Sequence, residues 1–319
     1  MKIVITGGLG HIGSRLLRDL PRHVNDLEIT IIDNLMTQRY ASLFDLPSKA
    51  RCRFVEGDAT SINLAPYFEG VDAVIHLAAI TDATSSFDKQ EEVERVNFSA
   101  TKNVAEACIS TGAALIYPSS TSVYGTQKEV VDEDCGPEDL KPQSPYAETK
   151  LREEAFLTDL SATQNLQCFI GRLGTIFGTS PGMRFHTAVN KFCWQAVMGT
   201  PLTVWQTAYE QKRPYLGLND AVRAIAFILD RGLFDGRIYN VVSANVTVRE
   251  IVEQIRERVP STEVTFVQSK IMNQLSYEAS SERFRNAGFQ PEENLGTGIA
   301  QTIALLNASN LSPTSDVTA

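Results

Sequence analysis

Cysteine and histidine are scarce in this sequence, which limits the chemistry it can carry. Its 319 residues include four histidines and five cysteines, namely Cys52, Cys108, Cys135, Cys168 and Cys193. The cysteines are odd in number and scattered, with no CxxC pair, a pattern typical of reduced thiols in a cytoplasm. Because the histidines are few and dispersed, we expect neither a structural zinc site nor another metal centre.

Long apolar runs and an excess of basic residues are absent as well. No stretch comes near the roughly 20 apolar residues that cross a bilayer. The chain opens directly on a strand-like segment, so we expect neither a signal peptide nor a membrane partner. The formal net charge of −9 argues against nucleic acid as the main partner, since phosphate contacts need a basic face. A small anionic ligand is compatible with that charge, because backbone N–H groups or one arginine can bind a phosphate.

Apolar segments rich in β-branched residues alternate with helical periodicity through the first half of the chain. The predicted strands are KIVIT (2–6), EITIID (28–33), CRFVEG (52–57), DAVIHLAA (72–79), ALIYPSS (114–120) and CFIGRLG (168–174). Apolar strands that alternate with helices indicate a parallel sheet covered on both faces. We therefore predict an α/β fold with a Rossmann-type doubly wound parallel sheet and a smaller, mostly C-terminal lobe.

The stretch ITGGLGHIGS, residues 5–14, places four glycines between a predicted strand and a predicted helix. Gly8, Gly10 and Gly13 satisfy G-x-G-x-x-G, whose glycines permit a tight turn, the approach of a pyrophosphate and close packing of helix on strand. Asp33 follows about 20 residues later, where a carboxylate binds a ribose 2′-hydroxyl and repels the extra phosphate of NADP. The bare pattern also fits a glycine-rich turn without a ligand, but its strand–helix context predicts an NAD site.

The periodicity loosens after about Leu173, which indicates a second lobe. We predict a cofactor-binding domain over residues 1–173, to which 218–246 return, and a substrate lobe over 174–217 and 247–306. Thr247 and Glu250 have the spacing of a capping box, which predicts a helix from residue 248. Residues 307–319 lack periodicity, and we expect a flexible tail.

Tyr146 and Lys150, in the stretch SPYAETK, are spaced i to i+4 and project from one face of a predicted helix. Ser144 fits the N-cap and Pro145 the first helical position, which places Tyr146 in the opening turn. The ordinary pKa of a tyrosine is about 10, and a lysine cation together with the positive nicotinamide ring favours the phenolate and lowers that pKa. An ordinary surface pair has the same spacing, and it is the dinucleotide-binding half before it that favours catalysis.

Small hydroxyl side chains end the strand before that helix. The stretch YPSSTSVYG contains Ser119, Ser120, Thr121 and Ser122 at the carboxyl end of a predicted parallel strand, where ligands bind such sheets. A hydroxyl-rich loop that caps its own backbone is the alternative for Ser119 and Ser122.

Together these motifs resemble the NAD-dependent epimerase/dehydratase family, extended short-chain dehydrogenases/reductases that act on nucleotide-activated sugars. Gly7, Gly10 and Gly13 read as its TGxxGxxG, and DNLMT, EGDAT, HLAA and the YxxxK pair follow in order. The resemblance is close over about the first 180 residues and looser to about Leu306. It implies NAD as the cofactor and a nucleotide-diphosphate sugar as the substrate.

The resemblance also implies roles for individual residues. Catalysis falls to Tyr146, Lys150, Ser120 and Thr121, of which Ser120 hydrogen-bonds the reacting sugar hydroxyl. The substrate contacts are Ser120, Thr121, Tyr146, Thr175 and Arg213. The NAD contacts are Gly7, Gly10, His11, Ile12, Gly13, Asp33, Asn34, Asp58, Ala59, Leu77, Ala78, Ala79, Asn97, Ser119, Tyr146 and Lys150.

Three departures from the family pattern bear on the type of reaction and on how the substrate is bound. The sugar dehydratases carry an Asp-Glu pair where Thr121 and Ser122 stand, and a hydroxyl cannot replace a carboxylic acid in elimination. Thr175 stands where an asparagine usually contacts the substrate phosphates. Tyr277 lies in a segment that lacks the usual arginine.

We therefore expect an NAD-dependent nucleotide-sugar epimerase, 4-epimerase-like, that oxidises a sugar carbinol transiently. The alternative is a dehydrogenase or reductase of a sugar nucleotide or other alcohol with net cofactor turnover. A non-catalytic NAD-binding protein is a third interpretation, which the intact Tyr146–Lys150 pair disfavours. By resemblance we also expect a homodimer formed through a four-helix interface.

Overall fold

The computed structural model describes residues 1–81, 87, 89–125, 128–268 and 276–308. Most of the tail predicted to be flexible, from residue 309 onward, lies outside the described residues. The strands are β1 (Lys2–Thr6), β2 (Leu27–Asp33), β3 (Ala50–Glu56), β4 (Ala73–His76), β5 (Ala114–Ser120), β6 (Val130–Val131), β7 (Cys168–Leu173), β8 (Thr175–Phe177), β9 (Leu202–Trp205), β10 (Lys212–Gly217), β11 (Asp235–Val241), β12 (Ala244–Thr247), β13 (Val264–Val267) and β14 (Glu278–Ala279). The helices are α1 (His11–Asp19), α2 (Ala65–Phe68), α3 (Gln90–Thr111), α4 (Pro145–Gln164), α5 (Ala188–Val197), α6 (Leu218–Arg231), α7 (Val248–Arg256), α8 (Glu282–Asn286) and α9 (Leu295–Asn307).

Seven parallel strands form the central sheet, in the order β11-β7-β5-β4-β1-β2-β3. This confirms the predicted Rossmann-type α/β fold. The strand order reverses beside β1, which pairs with β2 on one side and with β4 on the other. Ligands of such sheets bind outside the carboxyl ends of the strands at this reversal.

Alternate side chains of each strand point to opposite faces of the sheet, and each face has its own core. In β1, Ile3 and Ile5 belong to the cluster that includes residues of α1 and α6. Val4, between them, belongs to the cluster on the other face, with residues of α3 and α4. Burial on both faces explains why these strands read as continuous apolar runs.

The second lobe is built from smaller sheets around a third core. Strand β10 pairs with β8 in parallel and with β12 in antiparallel orientation, and β9 pairs with β13. The core below them combines residues of α5, α7 and α9. Strand β11 pairs with β7 at the edge of the central sheet, whereas β12 belongs to the second lobe. The domain boundaries stated from the sequence stay a prediction.

Two local predictions are confirmed at the level of hydrogen bonds. Thr247 caps α7 as a full capping box, with Glu250 N–H donating to its Oγ1 at 3.1 Å and its own N–H donating to Glu250 at 2.6 Å. Ser144 caps α4 by accepting the Ala147 N–H at 3.2 Å, and Pro145 is the first helical residue. In the part of the chain that the structure describes, no helix has both the length and the apolarity to cross a membrane.

Candidate active site

The glycine turn lies where β1 ends and α1 begins. Gly7 has a left-handed backbone (φ +66°), and a Cβ added to it would lie 2.5 Å from the Ala78 nitrogen. A Cβ on Gly13 would lie 2.5 Å from the Gly8 carbonyl oxygen. The turn is therefore pressed against the segment that follows β4, and α1 against the end of β1, which only glycine permits.

The carboxyl ends of β2 and β3 bring two acidic residues to the same edge. Asp33 accepts hydrogen bonds from the Leu9 N–H at 3.1 Å and the Leu35 N–H at 3.0 Å, so its carboxylate borders the glycine turn. Asn34 donates to Asp58 at 3.1 Å. The hydrogen bond from the Thr60 hydroxyl holds the pKa of Asp58 below its usual value. The structure thus brings Asp33 and Asp58, both predicted NAD contacts, to one edge of the sheet.

Strand β4 ends at His76, earlier than the sequence predicts, and residues 77–80 leave the sheet. Leu77, Ala78 and Ala79 are half-buried beside the glycine turn. Asn97, buried in α3, holds this segment in place: its amide accepts the Ile80 N–H at 2.8 Å and donates to the Ile80 carbonyl at 2.9 Å. The Asn97 side chain thus positions the cleft wall through the backbone.

Two predicted cofactor contacts have side chains engaged elsewhere. His11, 4% exposed, bonds the Gly178 carbonyl through Nε2 at 2.9 Å, which ties the start of α1 to the end of β8. Ser119 is buried and donates to Glu154 on α4. Ile12 is half-buried on α1, and Ala59, whose carbonyl accepts from Asn103 at 2.8 Å, is buried beyond β3.

The predicted catalytic pair lies on the first turns of α4. Tyr146 is half-buried, and Lys150 is buried beside it with Nζ 5.9 Å from the centre of the Tyr146 ring. Lys150 also donates to the Tyr117 hydroxyl at 2.9 Å. The cation is therefore held at a fixed place near the phenol, as a tyrosine base requires.

The hydroxyl loop follows β5 and contacts α4. Ser120 Oγ accepts the Ser122 N–H at 3.2 Å and lies 2.9 Å from Ser122 Oγ, so it caps the short 3₁₀ turn Thr121–Val123. Thr121 donates to the Leu173 carbonyl at 3.3 Å. Ser120 therefore caps the backbone of its own loop, the alternative that the sequence offered for Ser119 and Ser122. Ser120 is nevertheless half-buried at the end of the strand, at the edge where ligands bind such sheets.

The second lobe brings a cation to this loop. The Arg213 guanidinium lies 4.8 Å from the centre of the Tyr277 ring, and the Tyr277 hydroxyl donates to the Thr121 carbonyl at 2.7 Å. Thr175 is half-buried at the start of β8, in register with Tyr215 of β10. Arg213, Tyr277 and Thr121 thus form one connected group, in which a tyrosine occupies a position close to the catalytic loop.

Sequence reasoning missed four residues near the site. Glu153 and Tyr117 contact Lys150, and the spacing of three between Lys150 and Glu153 on one helix was an available signal. Arg184 of the second lobe donates to Thr81 beyond β4. Arg39 has Nη1 3.8 Å from where a Cβ on Gly10 would lie, over the glycine turn. Neither arginine lies in a recognisable motif.

Comparison with known proteins assigns the family. The model of the NAD dependent epimerase/dehydratase family matches residues 3–241, and the chain therefore belongs to that family. A Bacillus subtilis relative called "uncharacterized UDP-glucose epimerase YtcB" is 27% identical over 319 residues, covering 97% of this chain and 98% of its own. The solved structure of MoeE5 in complex with UDP-glucose and NAD is 27% identical, with a TM-score of 0.82 over 98% of this chain and 100% of that one.

A trifunctional UDP-glucose 4,6-dehydratase/UDP-4-keto-6-deoxy-D-glucose 3,5-epimerase/UDP-4-keto-L-rhamnose-reductase of Arabidopsis thaliana is 27% identical over 314 residues. The match covers 94% of this chain but only 46% of the plant protein. This chain thus spans about half of that relative.

The protein is an enzyme of this family, and its cofactor is NAD. The described residues fit that cofactor. The glycines of the turn add no side chain of their own before α1 at the strand reversal, where the N–H groups and the positive dipole end of the helix suit a pyrophosphate. Asp33 stands beside it for a ribose hydroxyl.

Proposed function

We propose that the protein is a nucleotide-sugar epimerase that oxidises a sugar carbinol transiently, 4-epimerase-like. The observation that carries the proposal is the Tyr146–Lys150 pair, with the cation 5.9 Å from the phenol ring, at the same sheet edge as the glycine turn. Such a pair suits proton removal from an alcohol, and the family's cofactor suits transient oxidation. The names of the Bacillus relative and of the MoeE5 complex support a UDP-sugar as the first substrate to test.

Each residue has a distinct part in the proposed reaction. Tyr146 takes the proton of the sugar hydroxyl and later returns it. Lys150 stabilises the phenolate and contacts the cofactor ribose, while Ser120 and Thr121 orient the hydroxyl. Bound NAD⁺ would supply the acceptor for the hydride of the sugar carbon and the donor for its return. Rotation of the ketosugar between these steps inverts the carbon without net use of cofactor.

The hydroxyl loop disfavours dehydration, although some relatives are dehydratases. Elimination of water needs a carboxylic acid next to the catalytic hydroxyl, and Thr121 and Ser122 stand there. The buried carboxylates closest along α4 are engaged: Glu154 with Arg172 at 2.7 Å and with Ser119, Glu153 with Thr101 at 2.6 Å. These contacts leave neither of them positioned as an acid on the substrate.

The second lobe supplies the proposed substrate contacts. Arg213, held over the Tyr277 ring, has the planar fork that suits a diphosphate. Thr175 stands at the position of the family's asparagine and offers a single hydroxyl in place of the amide. We propose that the nucleotide is bound chiefly through Arg213, with Thr175 as a weaker contact.

A quantitative assay separates the proposal from its alternative. The holoenzyme is incubated with UDP-glucose and, separately, UDP-galactose, while the sugar product is identified by chromatography and NADH is followed by absorbance. Interconversion without net NADH supports the epimerase. Stoichiometric NADH supports the dehydrogenase. A thermal-shift panel of UDP, dTDP, GDP, CDP and ADP with NAD present identifies the base, since ligands that bind the folded state raise the melting temperature.

Dimer formation, cytoplasmic location and a place in carbohydrate biosynthesis are part of the same proposal. Helices α3 and α4 pack side by side, and Phe98 and Phe156 on them are half-buried with ring centres 5.3 Å apart. We propose that this pair of helices forms half of a four-helix dimer interface, which light scattering of the holoenzyme would test. Five free thiols support a reducing compartment.

A further inference from the structure

A buried polar cluster lies behind the catalytic lysine, on the sheet side of α4. We call it the lysine cluster, and its members come from β1, β4, α3, β5 and α4: Thr6, His76, Thr101, Tyr117, Lys150 and Glu153. All are less than 5% exposed, and Glu153 is fully buried. A cluster of this size inside the core is costly unless every group is paired.

The hydrogen bonds of the lysine cluster all run towards Glu153. Thr101 donates to one carboxylate oxygen at 2.6 Å, and Tyr117 donates to the other. Because the Thr101 hydroxyl proton is used in that hydrogen bond, Thr101 Oγ1 accepts from His76 Nε2 at 3.3 Å. His76 Nδ1 in turn accepts from the Thr6 hydroxyl at 2.7 Å. A neutral His76 with its ring proton on Nε2 satisfies this arrangement, in which both carboxylate oxygens of Glu153 accept hydrogen bonds.

The charges of the cluster reduce to one pair. Burial lowers the pKa of His76 to about 3, and burial together with Glu153 raises the pKa of Tyr117 well above its usual value. Both are therefore neutral around pH 7. The Lys150 ammonium lies 3.4 Å from Glu153 Oε2 and donates to the Tyr117 hydroxyl between them at 2.9 Å.

We propose that Glu153 is a positioning residue for catalysis: its buried carboxylate, with the Tyr117 hydroxyl, holds the Lys150 ammonium charged and aimed at the Tyr146 ring. The inference rests on the proposed roles of Tyr146 and Lys150. It concerns the side of Lys150 that faces the sheet, opposite the substrate.

The neighbouring residue Glu154 shows that this contact is specific to one of two buried carboxylates. Glu154 turns to Arg172, whose guanidinium donates to it at 2.7 Å, and to Ser119. Its charge is therefore compensated by an arginine that is always ionised. Within the described part of the chain, Glu153 contacts Thr101, Tyr117 and Lys150, of which Lys150 is the cation.

The first test is the pH dependence of single-turnover hydride transfer in the holoenzyme. Glu153→Gln keeps the size of the side chain and removes its charge, which leaves a buried ammonium without its carboxylate. We expect the alkaline limb of the profile to move by about one pH unit or more to lower pH, since an opposite charge at this distance favours the charged form by that much. The matched control is Thr101→Val, which removes a hydrogen bond to the same carboxylate but leaves the ion pair. It should leave the alkaline limb in place.

The second test needs no substrate and no cofactor. In Glu153→Gln the buried Lys150 ammonium lacks its carboxylate until Lys150 loses its proton. The melting temperature of this variant should therefore fall below that of wild type by less and less as the pH rises from 7 to 10. Thr101→Val should show the same loss at every pH. Burial keeps the pKa of Tyr117 above its usual value in both variants, and His76, whose pKa is about 3, is neutral throughout this range. Should no nucleotide sugar be turned over, this measurement still tests whether Glu153 compensates the charge of Lys150.

Two outcomes would overturn the proposal. One is a Glu153→Gln profile and melting difference that match those of Thr101→Val, which would reduce Glu153 to ordinary packing. The other concerns Tyr117→Phe, the substitute if Glu153→Gln does not fold, because it removes the hydroxyl that joins the two charges and keeps the ring. We expect a smaller shift of the alkaline limb in the same direction, and an unmoved limb would refute the role.

Discussion

The cofactor edge of the central sheet and the substrate side of the second lobe are assembled in different ways. At the cofactor edge, the contacts join the ends of strands that neighbour β1 in the sheet: the Leu9 N–H donates to the Asp33 carboxylate after β2, and Gly7 lies against Ala78 after β4. On the substrate side, Arg213 lies over Tyr277, which reaches back to Thr121 across 156 positions of the chain. The first region depends on backbone geometry at the ends of neighbouring strands, and the second on the packing of side chains from distant segments.

The comparison teaches where variation in such an enzyme is tolerated. No other residue can replace Gly7 in the turn, because any Cβ at this position would collide with the backbone of Ala78. An arginine stacked on an aromatic ring can be replaced by other combinations that hold a cation in the same place. Two of the three departures from the family pattern, at Thr175 and Tyr277, fall in the second region.

We expect the largest effect from a substitution of Tyr146, the proposed base, which lies between the cofactor edge and the substrate side. Tyr146→Phe removes the proposed base and should reduce turnover by about 10²- to 10⁴-fold. Single-turnover kinetics of the holoenzyme would measure it. The NAD-induced rise in melting temperature should persist in this variant, and its disappearance would mean that the substitution acts through cofactor binding.

Gly7→Ala tests the cofactor edge. The left-handed backbone costs about 1–2 kcal/mol for a residue with a Cβ, and the added atom also meets Ala78 at 2.5 Å. We expect the NAD-induced rise in melting temperature to be lost. Gly232→Ala is the matched control, because its φ of +60° carries the same backbone cost with nothing within 4 Å of the new Cβ. If both variants kept the NAD response, the proposed cofactor turn would be wrong.

Arg213→Ala tests the substrate side. Losing a charge-assisted contact of about 1.5–3 kcal/mol should raise KM by roughly 10- to 100-fold with little change in kcat. Steady-state kinetics with a nucleotide sugar would show this. Arg249→Ala, on the same lobe but bridged to Glu210 at 3.4 Å, should leave KM unchanged. Equal effects of the two substitutions would point to a general loss of positive charge.

The smallest effect concerns the joint between the two regions, where His11 meets Gly178. Burial lowers the pKa of His11 to about 4 although the hydrogen bond to Gly178 opposes the shift. The unfolded chain therefore binds the proton first, and the stabilisation present above about pH 6.5 is lost as the pH falls towards 4. From pH 7 to 5 this amounts to about 2 kcal/mol.

Denaturant unfolding at several pH values would measure that loss. His11→Gln keeps a donor for the Gly178 carbonyl and should flatten the pH dependence. His23→Gln, at an exposed position, should not change it. If the free energy of unfolding of His11→Gln still fell steeply towards acidic pH, the loss would belong to other titratable groups.

Much of the cofactor edge could be predicted because its signals are local. The strand of residues 114–120 has the predicted bounds, and Ser144, Pro145, Thr247 and Glu250 cap their helices as their spacing indicates. The end of β4 was placed three residues too late, since the apolar Leu77, Ala78 and Ala79 continue the pattern of the strand. They leave the sheet because Asn97 draws the backbone at Ile80 towards α3.

The sequence by itself determined the fold class, the glycine turn and the spacing of Tyr146 and Lys150, because backbone geometry and helical periodicity act over a few residues. Only the tertiary structure decided that Tyr117, 36 positions away from Glu153, joins Glu153 to Lys150, and that Tyr277 places Arg213 beside the hydroxyl loop. The physical reason is that a buried charge or a stacked ring is defined by its partners. Those partners meet only when distant segments pack into one core.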